Sequence, residues 1–203
     1  MSTKIRMVAA NDAAPIAAIY APFCATDCVV SFETRAPAPD EMAGRIAMTT
    51  VAYPWLVAED ASGIRGYVYA SRHRERAAYR WSADVTAYLR ADSRGQGLGT
   101  ALYGVLFEFL RAQGFFKAYA GIALPNPGSV GLHEALGFRP VGIYREVGFK
   151  HGAWRDVGWW QLALQPKPAA PEPPLSMAGM VAHPLWSAAL GTAPAQTSTD
   201  TST

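Results

Sequence analysis

Arg94-Gly95-Gln96-Gly97-Leu98-Gly99-Thr100 is the stretch that decides how the rest of the chain is read. Before it, residues 81–89 are mostly uncharged and read as a strand. After it, Leu98, Ala101, Leu102, Val105, Leu106, Phe109 and Leu110 recur at the i, i+3, i+4, i+7 spacing of one buried helix face. Gly114 stands where a helix C-cap glycine belongs. A helix start offers unpartnered N–H groups and the positive end of the helix dipole, and glycines let the backbone approach a phosphate closely. The loop therefore predicts a pyrophosphate seat. The dinucleotide fingerprint requires G-x-G-x-x-G, but Gly95, Gly97 and Gly99 are spaced G-x-G-x-G. A P-loop requires Lys before Ser/Thr, and Gly99 precedes Thr100 instead.

Outward from the loop, strands and helices alternate. Residues 4–8 read as a short strand. Asn11 or Asp12 can cap a helix to about residue 20, and Asp40 a second to about residue 50. Residues 55–59 and 64–71 flank Asp60-Ala61-Ser62-Gly63, a hairpin signature. Strands follow at 117–122, 138–144 and 157–164, with a short helix at 129–136 closed by Gly137. The order implies an α/β domain with a mixed sheet around a strand–glycine loop–helix unit.

The chain has 203 residues, 50% of them hydrophobic, enough for one domain with a full core. Residues 1–165 are read as that domain. Residues 166–203 are rich in Pro, Ala, Ser and Thr, carry only Lys167, Glu172 and Asp200 as charges, and are expected to form a disordered tail. On this reading a chain ending near Gln165 keeps its stability and activity. The formal charge of +2 gives no argument for nucleic acid. With neither a membrane-length apolar run nor a signal-like N-terminus, the cytoplasm is the expected location and no membrane partner is expected. Cys24 and Cys28 lie near no other His or Cys cluster, so a buried, reduced pair is expected rather than a metal site. Arg72, His73, Arg74, Arg76 and Arg80 form a basic run opposed only by Glu75.

The order Arg-x-x-Gly-x-Gly after a strand resembles the coenzyme A pyrophosphate loop of the GCN5-related N-acetyltransferases (GNAT). Asn126, Ser129 and His133, followed by Leu136-Gly137-Phe138, resemble a second element of that family. Residues 53–59, 124–126, 133–137, 148–152 and 157–161 are similar to its phosphinothricin and methionine sulfone/sulfoximine N-acetyltransferase branch. The resemblance covers about residues 3–165 and excludes the tail.

The resemblance implies a GNAT fold with a central, mostly antiparallel sheet flanked by helices, acetyl-CoA as co-substrate, no metal, and a homodimer. It implies that Tyr88, Leu89, Arg94, Gly95, Gln96, Gly97, Leu98, Gly99, Thr100, Asn126 and Ser129 bind the coenzyme. The strand before the loop would splay to expose N–H groups to it. Asp84 is the expected general base, acting directly or through a water; the branch more often has Glu there. His133, where most of the superfamily has Tyr, is the expected acid for the leaving thiolate. Arg74 and Arg76 would hold the substrate's acidic group and Phe32 would line its pocket; Tyr79, Trp81 and Tyr103 could add walls. The implied reaction is direct acetyl transfer to the amine of a small acidic amino-acid analogue: phosphinothricin, methionine sulfoximine or methionine sulfone. A protein or peptide acetyltransferase, or a non-catalytic acyl-CoA-binding module, is the alternative.

Overall fold

A computed structural model describes residues 3–25, 28–184 and 186. Strand β1 (Lys4–Met7) leads through a short 3-10 turn into α1 (Ala13–Cys24), followed by α2 (Pro39–Thr49). Strands β2 (Trp55–Asp60), β3 (Gly63–Arg72) and β4 (Ser82–Leu89) come next, then α3 (Leu98–Gln113), β5 (Lys117–Ala123) and α4 (Pro127–Ala135). A long hairpin, β6 (Arg139–Lys150) and β7 (Ala153–Ala163), and a short helix α5 (Met177–Met180) complete the described fold.

The seven strands form one sheet in the order β1-β2-β3-β4-β5-β7-β6. Every neighbouring pair is antiparallel except β4 and β5. The α/β mixed sheet expected from the sequence is thus present. Alternate residues along each strand serve two cores. Ala83 and Val85 of β4 face the cluster that includes Leu102, Leu106 and Leu110 of α3. On the other face Trp55, Val57 and Tyr67 pack under Ile16, Ile19, Met42 and Ile46 of α1 and α2. Gly114 takes φ +92° at the end of α3, the left-handed conformation that its place in the sequence predicted.

Three expectations are corrected. β6 runs to Lys150, well past Tyr144, because the register shift between Tyr144 and Gly148, with Glu146 at φ +48°, absorbs the charged pair Arg145-Glu146 without ending the strand. Cys24 is buried but Cys28 is half-exposed; both are free thiols. The tail does not start at residue 166. Glu172 accepts a hydrogen bond from the Trp81 indole at 2.8 Å, and Gln113 exchanges backbone and side-chain hydrogen bonds with Leu175. Met177 and Met180 of α5 are 5% and 0% exposed, and Trp186 meets Phe109 edge-on at 6.0 Å. The composition is rich in Pro and Ala and poor in large apolar residues, but Met180 and Trp186 are enough to pack against the core that α3 belongs to. The remaining tail positions, Leu185 among them, lie outside the described residues.

The predicted consequence reverses the earlier expectation. Met180→Ala should cost about 2–5 kcal/mol, the usual range for truncating a buried Met, and a chain ending at Gln165 should melt lower still. Urea unfolding of both checks this; a Met180→Ala loss below about 1 kcal/mol would show that the strap contributes nothing.

Candidate active site

The glycine loop enters α3 with Gly95 at φ +70° and Gly97, the N-cap, at φ +74°. Both need the left-handed region that glycine occupies freely. The amides of Leu98, Gly99 and Thr100 then stand at the helix start with no intrahelical acceptor, while Ala101 makes the first helical bond, to Gly97 O at 3.0 Å. Gly99 is needed for space: a Cβ there would come within 3.0 Å of the Leu132 side chain on α4. Arg94 lies across the Phe23 ring at 5.1 Å and donates to Leu89 O.

β4 and β5 pair only at Ser82–Lys117, Ala83–Ala118 and Asp84–Tyr119, although each strand continues beyond. Past Asp84 they diverge, while β4 stays paired to β3 as far as Leu89. The alternate amides of β4 that face β5 therefore have no strand partner beyond Asp84. The opening leads into a cleft of about 560 Å³ bounded by the glycine loop, Phe23, Val30, Tyr88, Leu89, Asn126, Ser129, Leu132 and His133. Every coenzyme-binding residue expected from the sequence lines this cleft except Gln96, whose side chain turns back to Asp92 O at 2.8 Å. Asn126 accepts a hydrogen bond from Ser129 N at 3.1 Å and so caps α4. Among the described residues no group of three His, Cys, Asp or Glu side chains has metal-holding geometry.

Asp84 is the last paired residue before the opening, and Val85 already lines the space between the strands. Asp84 Oδ1 lies 2.6 Å from His73 Nδ1. Its carboxyl is pushed above the usual Asp range, chiefly by burial, with His73 and then Arg74 opposing the shift. On the same face Arg74 stacks over Trp159 at 5.4 Å. Phe32 packs against Gly148 of β6, where any Cβ would collide with its ring. Arg76 is exposed at the start of the next turn. Tyr79 touches His73 edge-on, but Trp81 is an anchor for the strap and Tyr103 belongs to the core below.

His133 is buried, with Nδ1 2.8 Å from Ser129 O and Nε2 3.0 Å from the Tyr103 hydroxyl. A carbonyl only accepts, so Nδ1 carries the proton and the neutral ring accepts at Nε2 from Tyr103. Burial also lowers its pKa, which favours that neutral form. Both nitrogens are engaged, so the acid role expected of His133 has no spare N–H to act with. Sequence reasoning counted His73 only as part of a basic run. Its contact with Asp84 arises from the β3–β4 register, which leaves no local signal.

Residues 5–159 match the acetyltransferase (GNAT) domain. The chain belongs to the GNAT acetyltransferase family. Among GNAT relatives, the phosphinothricin N-acetyltransferase of Streptomyces viridochromogenes is 39% identical over 84% of this chain and 92% of its own length. The L-methionine sulfoximine/L-methionine sulfone acetyltransferase of Pseudomonas paraeruginosa is 37% identical over 84% of this chain and 100% of its own. A GNAT phosphinothricin acetyltransferase from Sinorhizobium meliloti, solved in complex with AcCoA, superposes with a TM-score of 0.78 at 37% identity, covering 85% of this chain and 94% of that one.

Proposed function

We propose that this GNAT chain moves the acetyl group of acetyl-CoA directly onto the amine of a small acidic amino-acid analogue, of the phosphinothricin, methionine sulfoximine and methionine sulfone type. The observation that carries the reading is a partly desolvated carboxylate, Asp84, at the fork where the sheet opens beside a glycine-loop cleft. The cleft fits the coenzyme in character: free helix-start amides and Arg94 suit a pyrophosphate, and the unpartnered edge of β4 suits an amide-bearing arm. Acetyl-CoA supplies an acyl carbon activated as a thioester.

Asp84 takes a proton from the substrate ammonium, leaving the nitrogen lone pair free to form the C–N bond as the C–S bond breaks. A thiol pKa of about 8.5 lets the thiolate leave without a strong acid, which agrees with the neutral state of His133. Asn126 and Ser129 wall the cleft, as do Tyr88 and the loop residues 94–100. Arg74, held over Trp159, faces the substrate's acidic group, and Phe32 bounds the side-chain pocket; Arg76 reaches the acidic group from the rim. Val141, Ile143, Val147 and Phe149 stand exposed on edge strand β6 and support the homodimer implied by the resemblance. The free thiols suit a cytoplasmic setting.

Thiol release from acetyl-CoA, followed with methionine sulfone, methionine sulfoximine, phosphinothricin and a peptide N-terminus in turn, tests the reading. Turnover is expected with the small analogues. Turnover with the peptide alone would make the chain a peptide acetyltransferase, and coenzyme binding without any turnover would make it a binding module.

A further inference from the structure

His73 follows the last paired residue of β3, Arg72, which lies opposite Ala83. Ser71 lies opposite Asp84, so strand alternation puts Ser71, His73 and Asp84 on one face of the sheet. We propose that His73 is a positioning residue for the Asp84 base, fixing which carboxylate oxygen meets the amine. This rests on the reading of Asp84 as the base.

The ring has little freedom. It stacks on Tyr119 at 4.2 Å with 12° between planes, and the edges of Tyr79 and Trp159 stand 6.1 Å away on other sides. Its Nδ1–H donates to Oδ1, so Oδ2 is the oxygen left without a hydrogen-bond partner among the described residues. An aspartate has a short side chain, and a carboxylate that could rotate would lose alignment with the amine; the hydrogen bond removes that freedom. Proton transfer then runs from the ammonium nitrogen to Oδ2, while Nδ1 keeps its own proton throughout.

The electrostatics agree with the geometry. Burial favours the neutral carboxyl, and the His73 N–H and the Arg74 charge favour the ionised one. Of the remaining neighbours, Tyr119 lies opposite on β5, and the hydroxyls of Tyr53 and Tyr69 sense the Asp84 charge. Without the His73 donor the carboxyl would hold its proton to a higher pH, and less base would be present near neutrality.

His73→Phe keeps the stacked ring and removes the donor. It should move the acid limb of kcat/KM for the amine up by about one pH unit, lower the rate about tenfold below that limb, and leave KM for acetyl-CoA unchanged. His73→Asn, whose side-chain N–H can occupy the Nδ1 place, should recover most of the parent's profile. In an Asp84→Asn background His73→Phe should cost nothing further, because His73 acts through Asp84. If His73→Phe does not fold, the His73→Asn profile together with the ¹⁵N shift of the His73 Nδ1 in the parent enzyme decides. A parent-like profile in His73→Phe overturns the proposal. So does a folded His73→Asn as impaired as Phe, which would make the imidazole itself the proton acceptor, or an Nδ1 that carries no proton while Asp84 is ionised. A parent-like rate in Asp84→Asn alone would instead remove the base assignment beneath it.

Discussion

Asp84→Asn is expected to lower kcat about 10²–10⁴-fold, the range general acid–base assistance supplies, with acetyl-CoA affinity nearly unchanged. The amide fills the same space beside His73 but cannot accept the amine's proton. The pH dependence has a definite sign. The parent gains rate as pH rises through the raised pKa of Asp84, since only the ionised form is a base. The variant lacks that limb and recovers only at higher pH, where the amine loses its proton to solvent. His133→Ala should cost less, because both nitrogens of that ring are already engaged and the one N–H of its neutral form, at Nδ1, is committed to Ser129 O rather than to the sulfur. Measuring kcat against pH for both variants at saturating substrate checks the ranking. A parent-like profile for Asp84→Asn would move the base elsewhere, and a worse His133→Ala would reverse the two roles.

The second large effect separates stability from binding. Gly97 is the N-cap of α3, at φ +74°. Asp tolerates the left-handed region better than most residues, and its charge suits the positive end of the helix, although the left-handed backbone still costs it about 1 kcal/mol. Gly97→Asp should therefore fold with a modestly lowered melting temperature, and Gly97→Asn, which bears the same backbone cost, is its control. Its carboxylate would sit among the amides meant for a pyrophosphate, so acetyl-CoA affinity should fall well over tenfold, about 1.4 kcal/mol or more. Gly97→Asn has a similar shape without the charge and should lose much less. Calorimetric titration of acetyl-CoA into the three proteins tests this. Equal affinities for folded Asp and Asn variants would mean that no phosphate lies against this loop.

Much of the fold was legible because it is local. The apolar spacing of α3, the glycine at its C-cap and the hairpin at Asp60–Gly63 are read from neighbours in sequence, and all stand where expected. The cleft-lining loop was legible for the same reason. The divergence of β4 from β5 was not, since it is a matter of register between strands far apart in the chain. Nor was the partner of Asp84: His73 looked like one more positive charge until the β3–β4 hairpin folded it back. The strap was missed for a different reason. Average composition hides single anchors, and Met180 and Trp186 dock on the α3 core as individual side chains within a segment dominated by Pro and Ala.

The fork after Asp84 also divides the molecule mechanically. Within the one sheet, β1–β4 form a continuous antiparallel run and β5-β7-β6 another, and three residue pairs stitch the two runs together. Asp84 rides on the first half, while Trp159, under Arg74, and Gly148, against Phe32, ride on the second. Asp84 and the surroundings of Arg74 and Phe32 are thus held together by a short suture and the core under α3 rather than by a full-length ladder. On the proposed reading, a slight turn of one half against the other, with no pocket residue exchanged, would change which amine meets the carboxylate.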